Sequence, residues 1–395
     1  MSSSPKIPTV KLYDGVEIPV LGFGTGTAWY KPDRFSAYNP DAVTISKDAI
    51  AAGYRHLDTA EAYGTERELG QAIKESGVPR EDLFVVTKTV NSLSEGKIED
   101  VPTALENSLK RLQLDYLDLF LLHSPYLKND TYVESDVAKV WKLMEELQRS
   151  GKVRSIGISN FRKHHVENLL KTAEIKPTVN QIQFNPYLQG APEYAKWLES
   201  HGIKTAAYMG LAPITWLKGN HLDPLLEELA EKYKVAKSTI LIAWQLRQGI
   251  IVLNTTKKKE RVEEFFAALN VKLGEEDFDK ITSIGQDKHL RIPTRSEFLA
   301  TTGMNNLCAG KVGLTENDQI LARELGKLPP HLVDYMVDEK ARRFFWGLGL
   351  EPDWGDSKPL AVAILTVFGI DQRWEEWREN ALNRYEGDER LQRLL

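Results

Sequence analysis

The chain has 395 residues, of which 42% are hydrophobic, so it is long enough for one barrel of about 250–300 residues or for two smaller domains. Its 51 basic and 56 acidic residues give a net charge of −5, which argues against a nucleic-acid binder, because such a protein needs a basic stripe. The single cysteine, Cys308, excludes an internal disulfide.

The cysteine content and the ends of the chain predict a cytoplasmic protein. A lone cysteine suits the reducing cytosol. The N-terminal run MSSSPKIPTV lacks the apolar core of a signal peptide, and the apolar run Leu360–Ile370 is too short to cross a bilayer. We therefore expect neither a membrane nor a nucleic-acid partner.

Strand-like and helix-like segments alternate along the chain. The first, VKLYDGVEIPV, contains the hairpin signal Asp14-Gly15. Eight strand candidates come next, and helical patterning follows each of those after the first: LGFGTG, RHLDTA, LFVVTKTV, YLDLFLLH, VRSIGISNF, TVNQIQFNPY, IKTAAYMGL and IIVLNTT. Their nearly continuous apolar runs are typical of strands that are buried on both faces. This pattern predicts a (β/α)8 TIM barrel with an N-terminal β-hairpin over residues 1–296.

A doubly wound dinucleotide-binding domain is the alternative fold, since GFGTG is rich in glycine. The fingerprint G-x-G-x-x-G needs glycine at position 27, where the chain has Thr27. No helix follows this segment at once either. The barrel is therefore the favoured prediction.

Residues 297–395 differ in kind from the barrel region. They contain 12 basic and 17 acidic residues, which account for the whole net charge, and four tryptophans, which argue against disorder. We expect a mostly helical C-terminal extension. Its role is open: it is a candidate to cover the barrel mouth, to bind a protein partner or to form a small separate lobe.

Polar side chains fall at the predicted carboxyl ends of neighbouring strands, where barrel enzymes place their chemistry. Asp58, Lys88 and His123 end or nearly end three successive strands, and Tyr63 lies in the loop after the first of them. Asp58 also fits a helix N-cap, and Tyr63 and His123 also fit ordinary packing. Lys88 lies in the apolar strand VVTKTV, where a buried ammonium needs a partner such as Asp58.

Such a cluster has a chemical use. A free tyrosine has a pKa near 10, and a neighbouring ammonium favours the phenolate and lowers that value. We therefore expect Lys88, held by Asp58, to lower the pKa of Tyr63. Tyr63 would then act as a general acid toward a carbonyl oxygen that His123 orients with a hydrogen bond.

Long motifs occur in a fixed order between about Thr9 and Pro293: GYRHLDTAEAYGTERELGQAI, VVTKTV, DLFLLHSP, GKVRSIGISNF and NQIQFNPY. With these motifs the chain resembles the aldo-keto reductases. The resemblance implies that Asp58, Tyr63, Lys88 and His123 form a catalytic tetrad. It also implies that NADPH, with NADH as the alternative, lies extended across the barrel mouth.

The resemblance implies cofactor contacts as well. The nicotinamide amide would be bound by Ser159, Asn160 and Gln181, its ring would stack on Tyr208, and Gly24 and Thr25 would line the pocket near the reacting centre. Where the family often has Ser-Pro-Leu, this chain has Met209-Gly210-Leu211, so backbone amides are left to contact the pyrophosphate.

The eighth strand departs further from the family. Many members carry Pro-Lys-Ser and then Arg, whereas this chain has the run LNTTKKKERVEEF. We expect cofactor contacts from its polar and charged residues Asn254, Thr255, Thr256, Lys257, Lys258, Lys259, Arg261 and Glu264. The cations suit an adenosine 2′-phosphate and therefore favour NADPH, with a solvated basic loop as the alternative.

Aromatic residues of the strand-to-helix loops are candidates for an apolar substrate pocket, with packing as the alternative: Trp29, Tyr30, Tyr126, Tyr187 and Trp216. The predicted function is NADPH-dependent reduction of a small aldehyde or ketone, with hydride to carbon and a proton from Tyr63. A non-catalytic NADPH-binding sensor or partner subunit is the alternative on the same fold. A metal-dependent hydrolase would need clustered ligands, and His123 alone does not provide them.

Overall fold

The computed structural model describes residues 7–31, 37–89, 100–127, 132–188, 190–215, 217 and 219–286. The strands are Thr9–Lys11 (β1), Glu17–Pro19 (β2), Leu21–Gly24 (β3), His56–Asp58 (β4), Phe84–Thr89 (β5), Leu117–Leu122 (β6), Val153–Ser159 (β7), Val179–Gln183 (β8), Lys204–Tyr208 (β9) and Ile251–Asn254 (β10).

The helices in these ranges alternate with the strands from β3 onward. They are Pro40–Ala52 (α1), Glu66–Ser76 (α2), Val101–Leu112 (α3), Glu134–Arg149 (α4), Lys163–Leu170 (α5), Ala191–Ser200 (α6), Ala212–Thr215 (α7), Leu222–Tyr233 (α8), Lys237–Leu246 (α9), Lys259–Phe266 (α10) and Glu275–Gln286 (α11).

In the described residues, the eight strands β3 to β10 are parallel and close into a barrel, with β10 hydrogen-bonded to both β9 and β3. The register sets Gly24 beside Asp58, and Asp58 beside Val86. Each strand is almost wholly buried, because the helices cover one sheet face and the barrel interior covers the other. The predicted (β/α)8 barrel is confirmed.

The N-terminal hairpin, also predicted, covers the end of the barrel where the strands begin. Its turn needs Gly15, which has a φ of +93° in the left-handed region. Leu12 and Ile18 of the hairpin pack against Phe84 and Ile251, which are the first residues of β5 and β10. The amino-terminal end of the barrel is therefore closed, and the carboxyl-terminal end is left for a site.

Helix α2 shows how closely the outer layer packs at the site. Its buried side includes Leu69, Ala72 and Ile73. A Cβ at Gly70 would lie 2.3 Å from the carbonyl oxygen of Leu112, so only glycine lets α2 approach the end of α3 this closely. This packing sets the position of the loop that carries Tyr63 into α2.

The C-terminal extension predicted for residues 297–395, its helical content and the boundary at residue 296 all lie outside the described residues and stay predictions. Within the described ranges, no helix has the length and apolar content needed to span a membrane.

Candidate active site

Four side chains meet at the carboxyl-terminal mouth of the barrel. Asp58 is the last residue of β4, Lys88 is next to last in β5, and His123 directly follows β6. Tyr63 is the last residue of a 3₁₀ turn, Glu61–Tyr63, between β4 and α2. The structure therefore brings the predicted tetrad together, because parallel strands end at the same edge of the barrel.

A buried ion pair forms the centre of this cluster. The Nζ atom of Lys88 donates to Oδ1 of Asp58 at 2.6 Å and to the carbonyl oxygen of Thr59 at 2.8 Å. It also lies 3.5 Å from the hydroxyl of Tyr63 and 4.9 Å from the centre of the tyrosine ring. The lysine side chain is fully buried, so its ammonium depends on these partners.

The second oxygen of Asp58 has a partner that the sequence did not reveal. The amide nitrogen of Gln181, on β8, donates to Oδ2 of Asp58 at 2.9 Å. Asp58 is therefore held from two sides, by Lys88 and by Gln181. The resemblance assigned Gln181 only to the cofactor, and no local signal indicates a contact between residues 123 positions apart.

Burial controls the electrostatics of the pair. Burial lowers the pKa of Lys88, and the Asp58 carboxylate opposes that change. Burial also raises the pKa of Tyr63 well above its usual value, and the charge of Asp58 raises it further. The expectation that Lys88 lowers the tyrosine pKa is therefore wrong for this structure, since burial outweighs an ammonium already paired with a carboxylate.

His123 is a neutral imidazole beside Tyr63. The two rings meet edge to face, with their centroids 5.6 Å apart. Burial lowers the pKa of His123 to about 3, and the nearby charge of Lys88 acts in the same direction. Its Nδ1 atom is buried and has no hydrogen-bond partner in the described residues. At pH 7 this side chain can therefore donate one hydrogen bond and accept another.

A second network joins the ends of β7, β8 and β9. Ser159 donates its hydroxyl proton to the carbonyl oxygen of Gln181 at 2.8 Å. The next residue, Asn160, has a left-handed φ of 64°, and its amide nitrogen donates to the carbonyl oxygen of His123 at 2.9 Å. Its Oδ1 accepts from the hydroxyl of Tyr208 at 2.6 Å. Three of the residues assigned to the nicotinamide, and Tyr208 with them, thus belong to one hydrogen-bonded group at the mouth.

Three threonine hydroxyls brace the ends of β3 and β4 next to the ion pair. The hydroxyl of Thr25 lies 2.9 Å from that of Thr65, and the hydroxyl of Thr59 lies 3.2 Å from the same oxygen. The backbone nitrogen of Thr25 donates to the carbonyl oxygen of Asp58 at 2.9 Å. All three threonines are buried, so this cluster fixes the backbone that carries Asp58.

The run Met209-Gly210-Leu211 connects β9 to α7. Met209 has a left-handed φ of 56°, and a Cβ at Gly210 would lie 2.3 Å from the side-chain oxygen of Gln245. A side chain at this position would therefore require the amide of Gln245, on α9, to move. The contact of these backbone amides with a pyrophosphate stays a prediction.

The basic side chains of the loop after β10 differ in whether they already form an ion pair within the protein. Lys259 forms an ion pair with Asp48 at 2.8 Å, so its charge is engaged by α1. Lys257 and Arg261 are exposed and form no ion pair among the described residues. Glu264 is turned to the protein and accepts a hydrogen bond from Ser238 of α9.

The predicted pocket aromatics have different surroundings. Trp29 is buried, and its indole nitrogen donates to the carbonyl oxygen of Thr256 at 3.0 Å. Tyr30 lies edge to face with Tyr63, with ring centroids 6.4 Å apart. Tyr126 has its ring against His165, at 5.6 Å.

Two more aromatics complete the predicted set. Tyr187 is buried and accepts a hydrogen bond from the backbone of Leu222, so it packs against α8. Trp216 lies outside the described residues. Among the pocket candidates that the structure describes, Tyr30 has a ring contact with Tyr63 of the tetrad.

Polar atoms without partners indicate that this mouth suits a polar ligand. In the described residues, the buried Nδ1 of His123, Nδ2 of Asn254 and Oγ1 of Thr255 have no hydrogen-bond partner. All three follow or end strands at the mouth, and buried polar groups are rarely left without a partner. These residues fit a nicotinamide cofactor laid across the mouth. Within the described ranges, no three potential metal ligands lie close together.

Comparisons with known proteins agree with the fold and identify the family. Residues 20–286 match the Aldo/keto reductase family. Glyoxal reductase of Bacillus subtilis (strain 168) is 39% identical over 284 residues, which are 71% of this chain and 94% of that protein. Methylglyoxal reductase DkgA of Escherichia coli (strain K12) is 36% identical, over 72% of this chain and 96% of its own. The crystal structure of a Bombyx mori aldo-keto reductase in complex with NADP is 32% identical, with a TM-score of 0.64 over 71% of this chain and 93% of the other.

Proposed function

We propose that this chain, which belongs to the aldo/keto reductase family, uses NADPH to reduce an aldehyde to an alcohol, with Tyr63 as the proton donor. The observation that supports the proposal most is the buried Lys88–Asp58 ion pair beside the tyrosine hydroxyl, 3.5 Å from Nζ. A buried charge pair next to a titratable group is typical of a functional site.

The residues present fit the cofactor. Ser159, Asn160 and Tyr208 would hold the nicotinamide end, and the partnerless polar atoms of Asn254 and Thr255 would contact the remainder. When bound, NADPH supplies the hydride that is added to the carbonyl carbon. The complex of the Bombyx mori relative with NADP supports this choice of cofactor.

Tyr63 would carry the proton. Its raised pKa keeps the phenol protonated at pH 7, so the proton is in place before reaction. As hydride arrives at carbon, negative charge develops on the carbonyl oxygen, and an alkoxide is a far stronger base than a phenolate. The proton would therefore move from Tyr63 Oη to that oxygen, while the Lys88 ammonium stabilises the phenolate that is left.

His123 would orient the carbonyl oxygen. Its pKa of about 3 means that it is neutral at working pH, so it donates a hydrogen bond without a competing proton transfer. Its ring lies edge to face with the Tyr63 ring, with centroids 5.6 Å apart, so the two side chains are direct neighbours at the mouth. An oxygen held by both groups would have the orientation that proton transfer requires.

The proposed substrate class is small aldehydes. The two similar bacterial proteins, a glyoxal reductase and a methylglyoxal reductase, support placing 2-oxoaldehydes first. Tyr30, which lies against the Tyr63 ring, would form an apolar wall for the rest of the substrate.

Purified full-length protein tests the proposal. NADPH absorbance is followed with glyoxal, methylglyoxal, an aromatic aldehyde and an aliphatic aldehyde, and products are identified by mass spectrometry. We expect one alcohol formed for each NADPH consumed. If NADPH binds but none of these carbonyls is reduced, the enzyme proposal fails and the non-catalytic sensor is favoured.

A further inference from the structure

The loop after β10, the last strand of the barrel, contacts Trp29, which follows β3, the first strand of the barrel. The ammonium of Lys257 lies 5.2 Å from the centre of the Trp29 ring. This distance is within the range of a cation–π interaction, for which tryptophan is the best aromatic partner. Neither the apolar pattern around Trp29 nor the run of lysines indicates this contact.

The indole is fixed in place from several directions. Its Nε1 donates to the carbonyl oxygen of Thr256, the residue before Lys257, and its backbone nitrogen donates to the carbonyl oxygen of Gly26 at 2.8 Å. Trp29 is 7% exposed, so its ring has little freedom to turn. The face that meets the ammonium is therefore a rigid surface.

The residues after Trp29 tie the same segment to the tetrad and to α2. Tyr30 packs edge to face with Tyr63. Lys31 donates its backbone nitrogen to the carbonyl oxygen of Tyr63 at 3.1 Å, and its side chain forms a buried ion pair with Glu68. This segment, residues 29–31, thus crosses from the loop after β10 to α2 and is anchored at both ends.

Lys257 differs from the neighbouring lysine in the use of its charge. Lys259 donates to Asp48 at 2.8 Å, so its positive charge is already paired with a carboxylate. Lys257 is exposed and has the indole as its partner, and it forms no ion pair among the described residues. The ring face attracts the positive charge but leaves N–H donors of the ammonium available, so an anion can still bind to Lys257.

We propose that Trp29 is a specificity-determining residue for the phosphorylated cofactor, because its indole holds the Lys257 ammonium where the adenosine 2′-phosphate binds. This inference rests on the proposed use of NADPH. A lysine side chain has several rotatable bonds, and holding it in advance removes part of the entropy cost of binding phosphate. NADH has no 2′-phosphate and gains nothing, so the ratio of the two affinities reports the effect.

The test is a double-mutant cycle on binding. Dissociation constants for NADPH and NADH are measured by isothermal titration calorimetry on full-length wild type, Trp29→Leu, Lys257→Ala and the double variant. We expect Trp29→Leu to reduce the preference for NADPH by about threefold to tenfold, the cost of ordering one flexible side chain on binding. In the Lys257→Ala background, Trp29→Leu should leave the preference unchanged. Trp29→Phe, which keeps a ring face, should fall between wild type and Trp29→Leu.

Each other outcome overturns the inference in a distinguishable way. A loss of preference that is equal with and without Lys257 would mean that Trp29 supports the loop in general. An increased preference in Trp29→Leu would mean that the indole competes with the phosphate. Equal loss of affinity for both cofactors would mean that the residue has a structural role only. If wild type itself does not prefer NADPH, the cofactor part of the proposed function fails together with this inference.

Discussion

Replacing Lys88 with methionine removes the one ammonium that lies next to the Tyr63 hydroxyl in the described site. Methionine keeps the length of the side chain but not its charge. In the structure Nζ lies 3.5 Å from that hydroxyl and 2.6 Å from Oδ1 of Asp58. The substitution therefore affects two quantities, the stabilisation of the phenolate and the stability of a buried carboxylate.

The distances give the magnitude of both effects. At 3.5 Å and an effective dielectric constant of about 20, a full phenolate charge is stabilised by about 5 kcal/mol. If about half of that charge has developed in the transition state, the loss is about 2.4 kcal/mol, or roughly 50-fold in kcat. Leaving Asp58 without its ion partner costs about 3–5 kcal/mol, which lowers Tm by roughly 10 °C.

The assay is steady-state reduction of the best aldehyde by the purified variant, with Tm measured by calorimetry. Lys31→Met is the matched control, because Lys31 also forms a buried ion pair, with Glu68, but its ammonium is not beside the Tyr63 hydroxyl. We expect comparable losses of Tm and a much smaller loss of kcat in the control. A folded Lys88→Met protein with kcat within about threefold of wild type would refute the electrostatic role of the lysine.

Three further predictions concern the neighbours of this pair. The pKa of His123 is lowered to about 3, so between pH 3 and about 6.5 the unfolded chain binds a proton that the folded chain does not. Urea unfolding should therefore show the free energy of unfolding falling as pH decreases from about 6.5, and this fall should be smaller in His123→Asn. Gln181→Leu removes the hydrogen bond to Oδ2 of Asp58. We expect kcat, measured across a pH–rate profile, to fall by about tenfold or more, and this fall should exceed any rise in KM for NADPH. Gly26→Ala sets a Cβ 2.9 Å from the Tyr63 ring, and kcat should fall with little change in cofactor affinity.

Controls separate these effects from general damage. Gly274→Ala adds a Cβ in ordinary contact, 3.4 Å from the hydroxyl of Tyr233, at the start of α11 and outside the candidate site, so its kcat should stay near wild type. The pKa of His56 is also lowered by burial, so His123→Asn should keep part of the pH dependence. A Gln181→Leu protein with unchanged kcat and a raised KM for NADPH would show that the glutamine serves the cofactor alone.

The barrel and the meeting of the tetrad were predictable because both depend on the order of elements. Alternating apolar strands and helices predict parallel neighbours, and parallel strands end at one edge. Asp58, Lys88 and His123 had to approach one another once their strands were placed in order. The partner of Lys88 followed from the cost of an unpaired ammonium in an apolar strand.

Other features depend on side-chain directions across the barrel, which no local pattern contains. Gln181 reaches Asp58 from β8, and Trp29 reaches the loop after β10 across 227 positions. The direction of the pKa change at Tyr63 was wrong because it depends on a balance between burial and a nearby charge. That balance requires distances, and the sequence supplied only the residue types.

The most direct test of the proposed mechanism is the Tyr63→Phe variant, because the Tyr63 hydroxyl is its only proton donor. NADPH affinity is measured by calorimetry, and reduction of the best aldehyde is measured in single-turnover experiments. We predict affinity within about threefold of wild type and a rate lower by about 10²–10⁴-fold, the usual contribution of a general acid. A variant that binds NADPH and reduces the aldehyde at nearly the wild-type rate would contradict the proposed mechanism.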